Sequence, residues 1–487
     1  MKVAFATPEF QSLVRRTHLA EISEFLPRTL VNLGHEVVVF LPLHSDVEID
    51  RLSAIHELGA LPLPDLDGET EVTLIQAKFG DLNLVLVDHP LFSRRHPYGS
   101  SDGPYEDNWR RYSLFCRAVL EGLTVLGFAA DVIHCLDWTT GLIPVLLETE
   151  YRDRSGFPAH RAGTYFGIHN LAMQGAFERE ILTKIGLSHE LFKAIEGVEL
   201  RGKVNFLKAG AEFATIIGTH SPSQAEQVQT QDRGDGLEDT FRRRKKELVG
   251  VLNGIDYRAW DPSSDPLLAS NYSREDKDPS TGKRKCKAML QAGLSLEEKP
   301  KDPLITIIGR FDSDSGFDIL AEALTPILER NVQLVLMGPG QPEIMERVRT
   351  VEQTFTGRCR VIEGYDVNSA HTLLAGADLL LLPGHFHASN ALCAIAMRYG
   401  VVPVVYAGSG LEDTVSSVES GGTGYLFTRY SADGLLDSVD EARATYKKVS
   451  SWKEIVRRCL EQDFSWQESG RNYQKAYRRV TRRARAK

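Results

Sequence analysis

Val37-Val38-Val39-Phe40-Leu41 is an apolar run with no polar residue at alternate positions. A strand with one face in water would alternate, so this one must be covered on both faces, as in a parallel sheet sandwiched between helices. Its surroundings agree. Val3 to Thr7 is a second short apolar strand candidate, Leu19 to Leu33 carries helical periodicity, and Gly34 stops that pattern just ahead of the run. The order is strand, helix, strand, and the same rhythm returns at Asn83-Leu84-Val85-Leu86-Val87 and Asp131-Val132-Ile133-His134. This predicts a doubly wound α/β first half. A second series, Leu304 to Gly309, Val332 to Met337, Leu379 to Leu382 and Val401 to Tyr406, follows Asn253-Gly254-Ile255-Asp256 with helical patterns between its members.

A chain of 487 residues exceeds what one hydrophobic core usually serves. The reading is therefore two Rossmann-like domains, 1–255 and 256–450, with a helical segment at 451–487 that packs back on the first. In such domains ligands sit at the carboxyl ends of the strands, which places the expected site in a cleft between the halves. Asp261 to Lys283, polar and without apolar periodicity, reads as a surface connection. No stretch approaches the roughly 18 apolar residues a membrane helix needs, and Met1-Lys2-Val3-Ala4-Phe5-Ala6 is too brief for a secretory signal, so the cytoplasm is the expected location. Cysteines 116, 135, 286, 359, 393 and 459 show neither paired spacing nor zinc-type histidine partners and are read as reduced, packed thiols. A formal charge of −9 argues against nucleic acid as a partner. The local runs Arg242-Arg243-Arg244-Lys245-Lys246 and Arg482-Arg483-Ala484-Arg485 are read as solvated helix faces.

Two motifs, His169-Asn170-Leu171-Ala172-Met173-Gln174-Gly175 and Val204-Asn205-Phe206-Leu207-Lys208-Ala209-Gly210, resemble the bacterial glycogen synthases and plant starch synthases. The likeness continues in order through Glu9, Gly34-His35-Glu36-Val37, Tyr98-Gly99, Asp137-Trp138, Leu252-Asn253-Gly254-Ile255-Asp256, Gly309-Arg310, Gly364-Tyr365-Asp366, Gly410-Leu411-Glu412-Asp413-Thr414-Val415 and Gln462-Asp463-Phe464-Ser465-Trp466. The resemblance implies the GT-B architecture, two Rossmann-like parallel-sheet domains. It also implies a retaining transfer of glucose from ADP-glucose, or another nucleotide-sugar, to an α-1,4-glucan, with the donor as substrate and no cofactor or metal.

Breaking a sugar-diphosphate bond leaves negative charge on the departing phosphate, which cations and backbone N–H groups can stabilise. The resemblance assigns that role to Arg310 and Arg15, with Glu21 in the same first loop, and to the N–H groups of a glycine turn, Gly408 and Gly410, at a helix start. It sets His169 and Asp137 beside the reacting sugar, Asn253 as a polar contact, and Tyr365 against the adenine ring, where plain core is the alternative for the tyrosine.

Three loops depart from the family pattern. Lys-Thr-Gly-Gly-Leu-Gly-Asp becomes Arg15-Arg16-Thr17-His18-Leu19-Ala20-Glu21, and Thr17 and His18 should crowd the approach that glycines allow or force another loop shape. Arg-Leu-x-x-Gln-Lys-Gly becomes Arg310-Phe311-Asp312-Ser313-Asp314-Ser315-Gly316, so Ser315 replaces a phosphate cation. Phe-Glu-Pro-Cys-Gly-Leu-Thr becomes Phe386-His387-Ala388-Ser389-Asn390-Ala391-Leu392, so His387 replaces the glutamate that contacts the donor. Losing one such donor commonly costs about 10²- to 10³-fold in rate. His387 could restore part of the lost positive charge, or share a metal with His385, although no third ligand is visible. Two readings follow: a hexosyltransferase of this family, or a member that has lost catalysis and serves as a glucan-binding or regulatory partner of a competent synthase.

Overall fold

The computed structural model describes residues 1–65, 68–385 and 389–486. It divides into two compact units, Met1–Asn253 with Trp466–Lys487, and Gly254–Ser465. Each is built on its own sheet.

The first sheet has nine strands in the order Leu248–Gly250, Ile216–Thr219, Gly163–Ile168, Val132–Leu136, Lys2–Ala6, Glu36–Pro42, Leu82–Asp88, Gly68–Phe79, Ser53–Asp65. From Leu248–Gly250 to Leu82–Asp88 all neighbours are parallel, with Val3 opposite Val37 on one side and Val132 on the other. The unbroken apolar runs are buried on both faces, as the absence of alternation requires. The antiparallel hairpin Ser53–Asp65/Gly68–Phe79 was not legible in the sequence. Its outer strand is mostly exposed, and register shifts between Ser53 and His56 and between Glu57 and Gly59 break the period-two pattern.

The helix Trp466–Ala484 completes this unit, burying Trp466, Tyr473, Ala476, Tyr477 and Val480 along one stripe. Two glycines permit the contact. A Cβ on Gly470 would lie 2.4 Å from Thr29, and one on Gly163 would lie 2.5 Å from Val480. Tyr477 reaches the centre of the sheet, where its hydroxyl is 2.6 Å from Nδ1 of fully buried His134.

The second sheet has six parallel strands, Cys359–Glu363, Gln333–Gly338, Leu304–Ile308, Leu379–Leu382, Val402–Tyr406 and Tyr425–Phe427, with helices such as Phe317–Glu329 and Pro342–Thr354 between consecutive strands. The twin doubly wound sheets read from the apolar runs are both present.

Three sequence readings need correction. The first unit ends at Asn253, and helix Val449–Glu461, grouped above with the returning segment, belongs to the second unit, where Trp452, Ile455, Val456, Cys459 and Leu460 join the core. Asp261 to Lys283 is more than a surface connection: buried Asp265 accepts hydrogen bonds from Tyr399 Oη (2.5 Å) and His371 Nδ1 (2.7 Å), and the Tyr272 hydroxyl donates to the Tyr399 carbonyl at 2.9 Å. These are point contacts by polar side chains, which periodicity cannot reveal. In the run from Arg242, Arg242, Arg243, Lys245 and Lys246 are exposed as read, but Arg244 turns inward. Arg244 donates to the carbonyls of Ala211 (2.5 Å), Glu212 (2.8 Å) and Ala214 (2.6 Å), capping the carboxyl end of helix Phe206–Phe213, while Arg243 pairs with Glu212 at 2.5 Å. All six cysteines are free and buried. Among the described residues no helix is long and apolar enough to cross a membrane.

Candidate active site

In the first unit, Glu9 organises the loop that departs from the family pattern. Its fully buried carboxylate accepts the N–H groups of Arg16 (2.6 Å) and Thr17 (2.7 Å), the Thr17 hydroxyl (2.9 Å) and the Tyr98 hydroxyl (2.6 Å). No residue from Arg15 to Glu21 has positive φ, so this loop does without glycine's conformational freedom. Arg15 is exposed and pairs with Glu21 at 3.4 Å. Arg16 faces the nearby cavity instead and donates to Nδ1 of His96 at 2.8 Å.

Asp137 follows strand Val132–Leu136 with φ +54° and ψ −172°, a region that side-chain-bearing residues rarely occupy. Such backbone costs about 1–3 kcal/mol and persists where surrounding contacts over-determine it. Here the Asp137 N–H donates to Gly167 O at 2.9 Å, and Oδ1 accepts the N–H groups of His169 (2.7 Å) and Asn170 (3.4 Å). The carboxylate therefore fixes the start of the His169 motif. Burial pushes its pKa up to about 7, against the lowering effect of those two hydrogen bonds.

His169 is buried, and neither ring nitrogen has a partner among the described residues; the same holds for Nε2 of His18, His134 and His220. The His18 and His169 rings meet edge to face with centroids 6.3 Å apart. Burial, then the neighbouring imidazoles, holds His169 well below its ordinary pKa, and burial holds His220 at about 4 and His134 at about 3. These rings are neutral near pH 7, so His169, with both nitrogens open, offers one donor and one acceptor, which suits sugar hydroxyls better than phosphate. Unsatisfied buried polar atoms are rare enough that this group of histidines defines a site.

Beside it opens a cavity of about 680 Å³ whose walls include Arg16, Tyr98, Asn108, Trp138, Gln174 and Phe177. Trp138 lies 6.4 Å from Tyr98 and 6.1 Å from Phe177 between ring centroids, an aromatic surface of the kind on which a sugar face can rest. Gly175, at φ +60°, is required because a Cβ there would be 2.3 Å from the Trp138 ring. The second motif holds this wall in place: Asn205 caps helix Phe206–Phe213 through Lys208 N (2.8 Å) and donates to the Gln174 side chain at 2.7 Å. Asn253 is committed elsewhere in the same unit, accepting the Tyr473 hydroxyl at 2.9 Å.

In the second unit Arg310 is exposed at the end of strand Leu304–Ile308, its Nε 3.7 Å from Asp312 Oδ2. Asp312 turns inward and accepts the Ser315 N–H at 3.0 Å. Gly408 and Gly410, at φ +102° and +92°, follow strand Val402–Tyr406. Their N–H groups donate to one oxygen of Glu412, at 3.4 and 3.0 Å. The expected helix start is absent here: residues 411–414 make a single turn, closed by Thr414 N–H to Leu411 O at 2.9 Å. A carboxylate of the chain itself thus meets the donors assigned to a phosphate. Tyr365 is 58% exposed, which excludes the plain-core alternative. His385 stacks on Tyr430 with centroids 3.4 Å apart. His387 lies outside the described residues, and among the described residues no group of three or more His, Cys, Asp or Glu side chains could hold a metal ion.

The structure brings Asp137 and His169 together through the bond from the His169 N–H to Asp137 Oδ1. The sequence reading passed over Arg16, His18 and His220 as site groups, although Tyr98 and Trp138 were within its matched motifs; His220 ends Ile216–Thr219, a strand too short for periodicity to mark.

Two doubly wound units with polar groups gathered at their strand ends define a GT-B glycosyltransferase. Comparison with known proteins agrees: the starch synthase catalytic domain matches residues 2–243, and the glycosyl transferases group 1 domain matches residues 302–443. The chain is 35% identical to a glycogen synthase of Geotalea uraniireducens (strain Rf4), with 98% of each chain covered, and 36% identical to glycogen synthase 2 of Geobacter sulfurreducens, again with 98% of each covered. It superposes on the catalytic domain of starch synthase IV from Arabidopsis thaliana, solved with ADP and acarbose bound, with a TM-score of 0.83, 28% identity and 99% of each chain covered. The chain belongs to the glycogen synthase and starch synthase family.

Proposed function

We propose that this protein transfers a glucosyl unit from ADP-glucose to an α-1,4-glucan with retention of configuration. The observation that carries the reading is the pairing of the Asp137–His169 unit with the aromatic cavity lined by Tyr98 and Trp138, in a chain that matches glycogen synthases end to end. In the transfer the bond from the anomeric carbon to the diphosphate oxygen breaks, and an acceptor hydroxyl oxygen bonds to that carbon. The hydroxyl proton leaves with the phosphate. The neutral imidazole of His169 would exchange hydrogen bonds with the sugar, and the cavity would seat the glucan. Exposed Arg310 would meet the diphosphate, Tyr365 the adenine, and no metal is needed where arginine and backbone N–H groups carry the charge stabilisation. A cytoplasmic location fits a nucleotide-sugar donor.

The second reading, a glucan-binding partner without catalysis, is favoured by one observation: Glu412 and Asp312 face the groups that would hold the donor phosphates. An ADP-release assay with ADP-glucose and an oligoglucan primer separates them. Turnover by the native chain supports the transferase. Activity gained only after Ser315→Lys with His387→Glu supports a scaffold that lost its chemistry, and no turnover by either, with glucan binding retained, supports the partner role.

A further inference from the structure

The second unit has a cavity at the amino-terminal end of its central strands, opposite Arg310. Its floor is Asp378, which precedes strand Leu379–Leu382 and accepts Leu304 N–H at 2.9 Å at the amino end of the neighbouring strand. Arg310 lies at the carboxyl end of that neighbouring strand, and five residues at about 3.3 Å each put the two ends about 16 Å apart. The cavity encloses about 430 Å³, within the range for small-molecule sites.

Its lining is strongly biased in charge. Lys283, Arg284, Lys287, Lys301, Lys447 and Lys453 contribute to the wall against the single carboxylate of Asp378, in a chain whose net charge is −9. Two of these ammonium groups are buried and fully engaged. Lys283 donates to the carbonyls of Leu374 (3.2 Å), Ala375 (3.2 Å) and Tyr399 (3.0 Å), and Lys287 donates to Asp378 (2.6 Å), Asp302 O (2.5 Å) and the Tyr446 hydroxyl (3.0 Å). Burial brings Lys283 down to about 8, a sign that positive charge is held here at a cost. The remaining four stand at the rim. Asp278 pairs with Lys453 at 2.7 Å and lies 4.0 Å from Arg284, whereas Lys301 and Lys447 are exposed and make no ion pair among the described residues. Pro300, Val449, Trp452 and Val456 supply an apolar side wall. Concentrated like charge beside apolar surface is unfavourable by itself and suits an anion with a less polar body.

We propose that this cavity binds a small organic phosphate, its phosphate held between Lys301, Lys447 and Arg284 and its body resting on the Val449–Trp452 wall. Its size fits a sugar phosphate or a nucleoside monophosphate rather than a polymer. The inference does not depend on the transferase reading, since the site lies at the other end of the strands. The test is calorimetry on the full chain with glucose 6-phosphate, adenosine monophosphate and inorganic phosphate as separate probes. The proteins are the native chain, K301E/K447E, the milder K301Q/K447Q, and Arg310→Ala as a control for the donor site. At least one organic probe should bind with a Kd below about 1 mM, weaken at least about tenfold in K301E/K447E and less in K301Q/K447Q, and be unchanged in Arg310→Ala. Which probe binds tells sugar phosphate from nucleotide. Absence of binding by both organic probes, binding of inorganic phosphate alone, affinity indifferent to the lysine changes, or loss in Arg310→Ala would each overturn the proposal. So would binding only of a long polyanion such as heparin, which would mark a macromolecular surface instead.

Discussion

Replacing Asp137 by asparagine should stabilise the first unit at alkaline pH and leave it nearly unchanged in acid. The amide oxygen of the new side chain can still accept the N–H groups that Asp137 takes from His169 and Asn170 at 2.7 and 3.4 Å, and asparagine tolerates positive φ better than most residues. What the change removes is ionisation. Burial raises this carboxyl from 3.8 to about 7, so between those values the folded protein holds a proton that the unfolded chain has released. Wild-type stability must therefore fall as pH rises through the window and level off above about 7. About three pH units at about 1.4 kcal/mol each give a ceiling of about 4 kcal/mol. The asparagine variant lacks this slope. A two-unit chain need not unfold in one step, so hydrogen exchange of the amides in Val132–Leu136 and Gly163–Ile168 reports the relevant stability at pH 5 and pH 8. The variant should exchange more slowly than wild type at pH 8 after correction for intrinsic rates, with the gap much smaller at pH 5. An equal gap at both pH values, or a less stable variant at pH 8, would refute the reasoning.

Three further outcomes are expected. Glu412→Ala removes the carboxylate that accepts the Gly408 and Gly410 N–H groups, so ADP affinity measured by calorimetry should rise about tenfold, on the scale of a charge-assisted hydrogen bond; unchanged or weaker binding counts against the internal-anion account. Tyr98→Phe takes one of four donors from the buried Glu9 carboxylate and should cost about 1–3 kcal/mol in denaturant unfolding, with a loss under about 0.5 kcal/mol showing that the loop is held some other way. Asp265→Ala leaves the Tyr399 hydroxyl and the His371 ring, which stacks on Trp260 at 3.8 Å, only the 3.1 Å contact between them and should destabilise the second unit by about 3 kcal/mol; a melting profile like that of wild type would mean the segment after Asp261 is a plain connection after all.

What the sequence made legible follows from the physics of each element. Unbroken apolar runs have only one comfortable environment, so both parallel sheets were readable from Val37–Leu41, Leu379–Leu382 and their counterparts. The outer hairpin carries no such constraint, because a mostly exposed strand with register shifts has no fixed pattern to show. At the site, motifs placed Asp137 and His169 but not their environment. That Glu9 braces the Arg16–Thr17 backbone, or that Glu412 folds onto its own glycine turn, depends on side-chain direction that no spacing encodes. Long polar side chains mislead most: Arg244 and Lys283 look like solvent-facing charge in a sequence, yet both spend their hydrogens on buried carbonyls.

The return of the chain to its first unit has a consequence for how the protein is born. Ribosomes make polypeptides from the amino end, so the Tyr477 hydroxyl, the partner of His134 at the heart of the first sheet, emerges only after all of Gly254–Ser465. The first unit must therefore wait, unsealed, while Gly254–Ser465 is synthesised and free to fold first. A stop codon just before Trp466 would spare the later-made half and leave the earlier one open.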